Sequence, residues 1–392
     1  MEGSEELSIK NLRIARVSTV PLFVITQLNA QLSALKEAGA AVYVVASDDE
    51  LGDRLRAVDG LKFLPVNIAR DINLLQDLSS LVQLIRLFRK ERFDVVHSTT
   101  PKAGLLCALA GWIARIDVRL HTFTGQPWVT MTGHKKKILQ FCDRIIGWLN
   151  THNYTDSLSQ REFLIASGIV SSKKLSVIGS GSLAGVDTQR FNSDRYCAQS
   201  REALRRSLDI PLDAKVLLFV GRITPDKGIS ELVKAFERVA GEMEDVYLVV
   251  VGPFEANGKA VFDAVSDDRI TSRFRFVGFT GEPEQYMSIS DILCLPSYRE
   301  GFGTVVIEAA AMGLPTVGTS IYGLTDAIVD GETGVLVPVR DAEKLADALC
   351  KLLADPELRQ RMSVRGKARA ISEFDSKHCS ALLVKEYEAF VR

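Results

Sequence analysis

Glu300 and Glu308 are two carboxylates eight residues apart in the stretch Ser297–Gly318, SYREGFGTVVIEAAAMGLPTVG. The first lies in a glycine-rich loop. The second is the only charge in Thr304–Met312, whose pattern predicts a helix. An unpartnered carboxylate on an apolar helix costs on the order of 2–5 kcal/mol unless something hydrogen-bonds it. A ligand rich in hydroxyls would do so. The loop Gly301-Phe302-Gly303 can bring backbone N–H groups against an anion at the start of that helix. Hydroxyls for the carboxylates and phosphates for the loop describe a sugar nucleotide.

A second segment, Phe219–Gly228 (FVGRITPDKG), runs from a strand pattern into a loop holding Arg222 and Lys227, and a helical pattern begins at Ile229. Two cations beside a helix N-terminus suit a diphosphate, each charge-assisted contact contributing about 1.5–3 kcal/mol. A surface loop with two solvated cations would look the same. Phe276–Phe279 (FVGF) ends another strand pattern with a loop that could read a base, and Gly318–Gly323 is a glycine-punctuated turn. There is no D-x-D. Neither a metal nor a cofactor is expected.

The segments VGRITPDKG, SYREGFGTVVIEAAAMGLPTVGT and DGETGVLV together resemble the retaining glycosyltransferases of family 4. The resemblance covers most of the chain and implies the GT-B fold. It implies that Arg222 and Lys227 hold the donor diphosphate and that Glu308 binds the ribose, with Phe279 on the nucleotide side. Glu300, Gly301, Phe302, Gly303 and Thr304 would border the donor sugar and phosphates, Glu300 being catalytic by orienting donor hydroxyls. It further implies same-face attack by the acceptor hydroxyl, with the departing phosphate taking its proton. Leu183–Phe191 (LAGVDTQRF) resembles the family's segment at the domain seam, with Ala184 where Asn is usual.

In the first half, His97–Gly104 (HSTTPKAG) and His121–Trp128 (HTFTGQPW) resemble a subgroup that builds bacterial surface polysaccharides, capsule and O-antigen, on polyprenyl-diphosphate lipids. That implies a UDP-sugar donor, a lipid-linked saccharide acceptor, and an acceptor side formed by Thr100, Lys102 and Gln126. His121 would be catalytic; a hydrogen-bonded structural histidine is the competing reading, and it is the preferred one for His97. The family's usual double glycine after the first strand is replaced by Ser18–Phe23 (STVPLF).

These residues need a frame to hold them. Leu12–Val17, Val42–Ala46, Val95–Ser98 and Val118–Phe123 read as strands, Gln27–Ala38 and Leu75–Lys90 as helices. The alternation restarts with strands at Val216–Val220, Val246–Val251, Arg275–Val277, Asp291–Leu295 and Pro315–Gly318. Helices are expected at Ile229–Val239, Ala342–Ala354, Pro356–Phe374 and Ser376–Arg392. Such alternation implies α/β architecture, two Rossmann-like doubly wound domains, each with its ligand edge at the carboxyl ends of the strands. The expected division is an acceptor domain over 1–190, a donor domain over 191–375, and a final helix, 376–392, packing back toward the first, with the two edges facing an interdomain cleft.

The 392 residues are 46% hydrophobic and 25% charged, ordinary for a folded two-domain protein. The six cysteines lack metal-ligand spacing; four of them (107, 142, 294, 350) lie in apolar runs and read as reduced core residues, which suits the cytoplasm. The acidic start, MEGSEELSIKN, does not read as a signal peptide. The longest apolar run, Ala103–Ala114, falls short of the roughly 18 residues that span a bilayer and reads as a buried helix. Residues 1–190 carry 23 Lys+Arg against 18 Asp+Glu, a net +5, while residues 191–392 net −6. Arg86–Arg144 alone nets +7. That excess is either a solvated surface or a basic face for anionic lipid or a pyrophosphate-bearing acceptor. Nothing matches a nucleic-acid-reading helix. His134–Leu149 joins a basic start to apolar positions at helical spacing, with Trp148 near its end: a membrane-interface helix or a core helix. The expectation is a peripheral protein on the cytoplasmic face of the inner membrane. A glycosyltransferase with a soluble acceptor, and a noncatalytic sugar-nucleotide-binding subunit, are the alternatives.

Overall fold

The β-branched runs form strands that are buried on both faces, as parallel strands flanked by helices must be. A computed structural model describes residues 9–69, 73–255 and 257–391. Residues 9–185 and 376–391 group into one unit and residues 186–375 into a second.

In the first unit seven parallel strands lie in the order β3-β2-β1-β4-β5-β6-β7. These are β1 (Arg13–Val17), β2 (Ala41–Ala46), β3 (Leu61–Pro65), β4 (Val95–Ser98), β5 (Val118–Phe123), β6 (His152–Thr155) and β7 (Leu175–Val177). Alternate residues feed separate cores. Ile14, Val42, Val44 and Val95 pack with Leu28, Leu32 and Leu35, while Ala15, Tyr43, Val45 and Val96 pack with Leu84 and Phe88 on the other side. A one-residue register slip would exchange the two sets. Truncating Phe88 to alanine would cost about 3–5 kcal/mol.

The Leu74–Glu91 helix starts at Asn73, whose side chain accepts from the Gln76 N–H, and stops at Arg92 in the left-handed region. The Pro101–Ala114 helix is the apolar one, with Ala103, Leu106, Cys107 and Ala110 buried. No helix of the described residues is long and apolar enough to cross a membrane. Gln27–Ala38 is part of a longer helical stretch. It begins at Pro21, passes through a π-helical turn at Val24–Leu28 and continues as Asn29–Glu37. Proline presets the first helical φ, so the helix starts where the sequence pattern alone showed only a loop. The last helix, Ser376–Phe390, lies on Asn29–Glu37 in the first unit.

The second unit has six parallel strands, β10-β9-β8-β11-β12-β13. They are β8 (Lys215–Val220), β9 (Val246–Val251), β10 (Phe274–Gly278), β11 (Ile292–Leu295), β12 (Thr316–Thr319) and β13 (Gly334–Val337). The Ile229–Glu242 helix buries Ile229, Leu232, Val233, Phe236 and Val239, a stripe at helical spacing against this sheet. All six cysteines are free; Cys107, Cys294 and Cys379 are buried, and Cys142 and Cys350 only half-buried.

Candidate functional site

In an open parallel sheet the ligand crevice lies at the carboxyl ends of the strands, where strand order reverses. The second unit reverses between β8 and β11. The loop after β8 carries Arg222 and Lys227. The loop after β11 carries Glu300–Gly303 and leads into the Thr304–Ala311 helix.

Gly228 allows the two loops to touch. Its φ is 70°, and a Cβ there would lie 2.0 Å from the Pro296 carbonyl oxygen. Lys227 Nζ then meets Glu300 Oε1 at 2.5 Å, with side-chain exposures of 18% and 14%. Ser297 Oγ donates to the same oxygen at 2.8 Å. Thr319, closing β12, donates to the Ser297 carbonyl. The Tyr298 N–H donates to the Asp226 carbonyl at 2.9 Å, and Arg299 pairs with the Asp226 carboxylate at 2.8 Å. A lysine and a glutamate this enclosed depend on each other, because removing either leaves an uncompensated charge. Arg222 is more exposed and pairs with Glu255, in the loop after β9, at 2.9 Å.

Gly303 starts the Thr304–Ala311 helix at φ 82°, where a Cβ would come within 2.6 Å of Leu324 Cδ2. Phe302 turns inward onto Phe374, ring centroids 5.1 Å apart, so it is a packing residue. Gly301 is buried, and Thr304 is partly exposed beside it. One turn further on, Glu308 keeps some solvent contact but is crowded by protein. Its carboxylate accepts no hydrogen bond from the described residues. Burial pushes it up to about 7; Arg190 pulls it down and Glu284 pushes it up. Phe279 follows β10, with its side chain 70% exposed.

The residues expected on the acceptor side lie at or near the carboxyl edge of the first unit, whose order reverses between β1 and β4. Thr100 Oγ1 lies 2.5 Å from Thr19 Oγ1 and accepts from the Thr19 N–H. Lys102 pairs with Asp77 of the Leu74–Glu91 helix at 2.7 Å. Gln126 is buried and accepts from Gln160 Nε2 at 3.2 Å. His121 sits inside β5, 1% exposed, its Nδ1 2.9 Å from Ser98 Oγ. Burial pushes its pKa down to about 3, so the ring is neutral. The Pro101–Ala114 helix crosses it at Gly104, where a Cβ would fall 2.5 Å from His121 Cε1. His97 is fully engaged, with Tyr387 Oη at 2.5 Å from Nδ1 and Thr122 Oγ1 at 2.8 Å from Nε2. Burial first, then Arg16, holds it well below the ordinary histidine range.

The structure therefore gathers Arg222, Lys227, Glu300, Gly301, Gly303, Thr304 and Glu308 around one sheet edge. It engages Thr100, Lys102, Gln126 and His121 in contacts within the first unit. Sequence reasoning did not find Ser297, Glu255, Arg190 or Glu284. Only Ser297 had a local signal, three residues before Glu300 in the same loop.

Two family descriptions match this chain, "Glycosyl transferase 4-like domain" over residues 24–181 and "Glycosyl transferases group 1" over residues 200–369. The capsular polysaccharide biosynthesis glycosyltransferase CapM of Staphylococcus aureus is 30% identical over 384 residues, 98% of this chain and 99% of that protein. An Escherichia coli UDP-Gal:alpha-D-GlcNAc-diphosphoundecaprenol alpha-1,3-galactosyltransferase is 26% identical, covering 79% of this chain and 78% of its own. Among solved structures, sucrose-phosphate synthase from Thermosynechococcus elongatus superposes with a TM-score of 0.80 at 20% identity, covering 96% of this chain and 98% of that one. The Anabaena protein HepE, solved with UDP, gives 0.77 at 18% identity, covering 96% and 100%. With one relative aligned from end to end and a glycosyltransferase description in each unit, the chain belongs to the group 1, family 4-like glycosyltransferases of the GT-B fold.

Proposed function

We propose that this glycosyltransferase moves a hexose or N-acetylhexosamine from a nucleotide diphosphate, UDP before GDP, to a saccharide carried on a polyprenyl diphosphate. Transfer retains anomeric configuration and builds a bacterial surface polysaccharide at the cytoplasmic face of the inner membrane. The observation that carries the reading is the Lys227–Glu300 contact at the strand-order reversal, with Arg222 beside it. A diphosphate placed there meets two cations and the start of the Ile229–Glu242 helix, which share the charge that develops as the sugar leaves. Glu300, held by Lys227 and Ser297, orients donor hydroxyls, and Glu308 accepts from the ribose. Phe279 and its loop border the base. The acceptor hydroxyl attacks the anomeric carbon on the face the nucleotide leaves, and its proton passes to the departing phosphate oxygen. Positioning does most of the catalytic work.

On the acceptor side, His121 is too enclosed to act as an imidazolium acid; it serves as a neutral partner of Ser98 beneath the Pro101–Ala114 helix at Gly104. Support for a lipid-borne acceptor comes from the named relatives and from one surface. The Gly133–Leu149 helix exposes Lys137, Ile138, Phe141, Arg144 and Trp148 along one stripe, basic and aromatic together.

The test is transfer of radiolabelled sugar from UDP- and GDP-sugars to synthetic polyprenyl-diphosphate saccharides, with Glu308→Ala as control. Label entering the lipid fraction, and lost in the control, is expected. Label confined to water-soluble products would overturn the lipid acceptor. Tight UDP binding with no transfer to any acceptor would favour a noncatalytic subunit.

A further inference from the structure

Three neighbouring helices of the first unit turn every one of their acids away from solvent. The Pro101–Ala114 helix packs on both Leu74–Glu91 and Gly133–Leu149. Leu84, Phe88, Ala103 and Leu106 of the first two share a core with Ala15 and Val96 of the sheet. Ile146 of the third meets the middle helix over the same side, 3.2 Å from where a Gly104 Cβ would stand. The three helices are thus one layer. Asp77 is committed to Lys102 at 2.7 Å, Glu91 to Arg13 at 2.5 Å, and Asp143 to the Trp128 Nε1–H at 2.7 Å. No exposed position on these helices holds an Asp or Glu, although 49 of the chain's 392 residues are acids.

The exposed positions are apolar and basic instead. Leu74, Leu75 and Leu78 are 80%, 83% and 59% exposed, and Val82 follows one turn on. At 3.6 residues per turn they share a face about 120° wide with the exposed Arg86 and Arg89. Trp112 and Ile113 end the middle helix exposed. Ile138, Phe141 and Trp148 lie on the third beside Lys137 and Arg144. A contiguous apolar surface marks an interaction site. A rim of one sign, positive, matches a surface that is apolar within and negative at its boundary, an anionic phospholipid bilayer. The leucine turn also has a definite place. A crossover helix starts at the carboxyl ends of the strands, and Asp77 of that turn pairs with Lys102 in the first turn of the middle helix. The leucines therefore stand beside Thr100 and Lys102.

We infer that these three helices form one docking face for an anionic bilayer, with Leu74, Leu75 and Leu78 inserted beside the acceptor edge. The inference rests on the membrane reading proposed above and widens its single stripe to a face with a second, leucine anchor. Docked in this way, the sheet edge meets a saccharide carried on a lipid of the same bilayer.

The experiment is sedimentation of the full chain with phosphatidylglycerol–phosphatidylcholine vesicles and with phosphatidylcholine vesicles, at about 0.1 M and about 1 M salt. Wild type is expected to bind the anionic vesicles at least about tenfold more tightly at the lower salt. Leu74→Ser/Leu75→Ser/Leu78→Ser is expected to lose about tenfold in that binding at either salt. Arg86→Gln/Arg89→Gln/Lys90→Gln is expected to lose about tenfold at the lower salt and to match wild type at the higher, where the attraction is screened. All six side chains are exposed, so both variants should melt with wild type. Retention of binding by the leucine variant, with loss confined to Phe141→Ser/Trp148→Ser, would remove the leucine anchor and overturn the inference. Equal binding to both vesicle types would overturn it too, as would a wild-type dimer that ignores vesicles and that the leucine variant dissociates. Failure of the proposed reaction reads differently: wild type that binds anionic vesicles yet transfers no sugar to lipid-borne saccharides keeps the docking face and loses the acceptor.

Discussion

The carboxyl edges of the two sheets spend their polar side chains differently. In the second unit, cations and carboxylates face each other at the mouth of the strand reversal, Lys227 with Glu300 and Arg222 with Glu255. An incoming diphosphate can take over such contacts by exchange. In the first unit the polar groups close on one another: Thr19 with Thr100, Lys102 with Asp77, Gln126 with Gln160. A donor with fixed negative charge selects charged residues at fixed places. At the first unit's edge two of these three contacts are neutral, and the one ion pair among them, Lys102 with Asp77, joins two neighbouring helices.

Breaking the donor edge has the largest expected effect. Lys227→Met removes the proposed diphosphate contact and strands Glu300, so kcat/KM for the donor should fall about 10³-fold. Glu300→Gln should lower kcat with UDP affinity nearly unchanged; equal losses in both would remove its proposed role in orienting donor hydroxyls.

Next comes a stability effect of the opposite sign. The Glu308 carboxyl is raised from 4.5 to about 7 in the folded chain, chiefly by burial. Its ionised form therefore opposes folding, a penalty that is absent below its unfolded value and complete once pH passes its folded one. Glu308→Gln should stabilise the unliganded protein by about 1–3 kcal/mol at pH 8 and progressively less toward pH 4.5. Melting curves at the two ends of that range check it. A variant less stable at pH 8 would mean that hidden partners satisfy the carboxylate.

The first unit should respond in stability and not in donor binding. Gly104→Ala drives a methyl group into His121, costing about 1–3 kcal/mol, with UDP affinity unchanged. Lys102→Met strands Asp77 in a pair whose side chains are only 16% and 18% exposed, and is expected to cost a similar amount, about 1–3 kcal/mol by chemical denaturation, with UDP affinity unchanged. A tenfold loss of acceptor affinity in Lys102→Met, with stability intact, would erase the contrast between the two edges and put a ligand contact on the first.

How legible these features were follows the same division. β1, β2, β4, β5, β8, β9, β10, β11 and β12 each carry enough branched or aromatic apolar residues to be readable. β6 was not, because His152 and Asn153 disguise it. Asn153 is buried with its amide nitrogen 3.4 Å from each of two backbone carbonyls. β7 has only three residues, too short for periodicity to show, and β3 and β13 are only partly buried, without the fully buried run that marks the central strands. Glu308 stood out as a lone charge in an apolar helix, and Arg222 and Lys227 as cations before a helix. Their partners did not, since Glu255 lies 33 residues from Arg222 and Glu284 lies 94 from Arg190. Only the folded chain brings those charges together.

The closing helix has a consequence for how this protein is made. Arg16 is fully buried, and its Nη1 donates to Tyr387 Oη, 371 positions away. The last strand of the first sheet leaves the ribosome at Val177, about 210 residues before that tyrosine. At roughly 5–20 residues per second the gap lasts about 10–40 s. The second unit is contiguous and can finish within it, while the first waits with a guanidinium lacking its cover. The half synthesised first is completed last, and a premature stop near residue 380 would unsettle the opposite end of the polypeptide from the one it shortens.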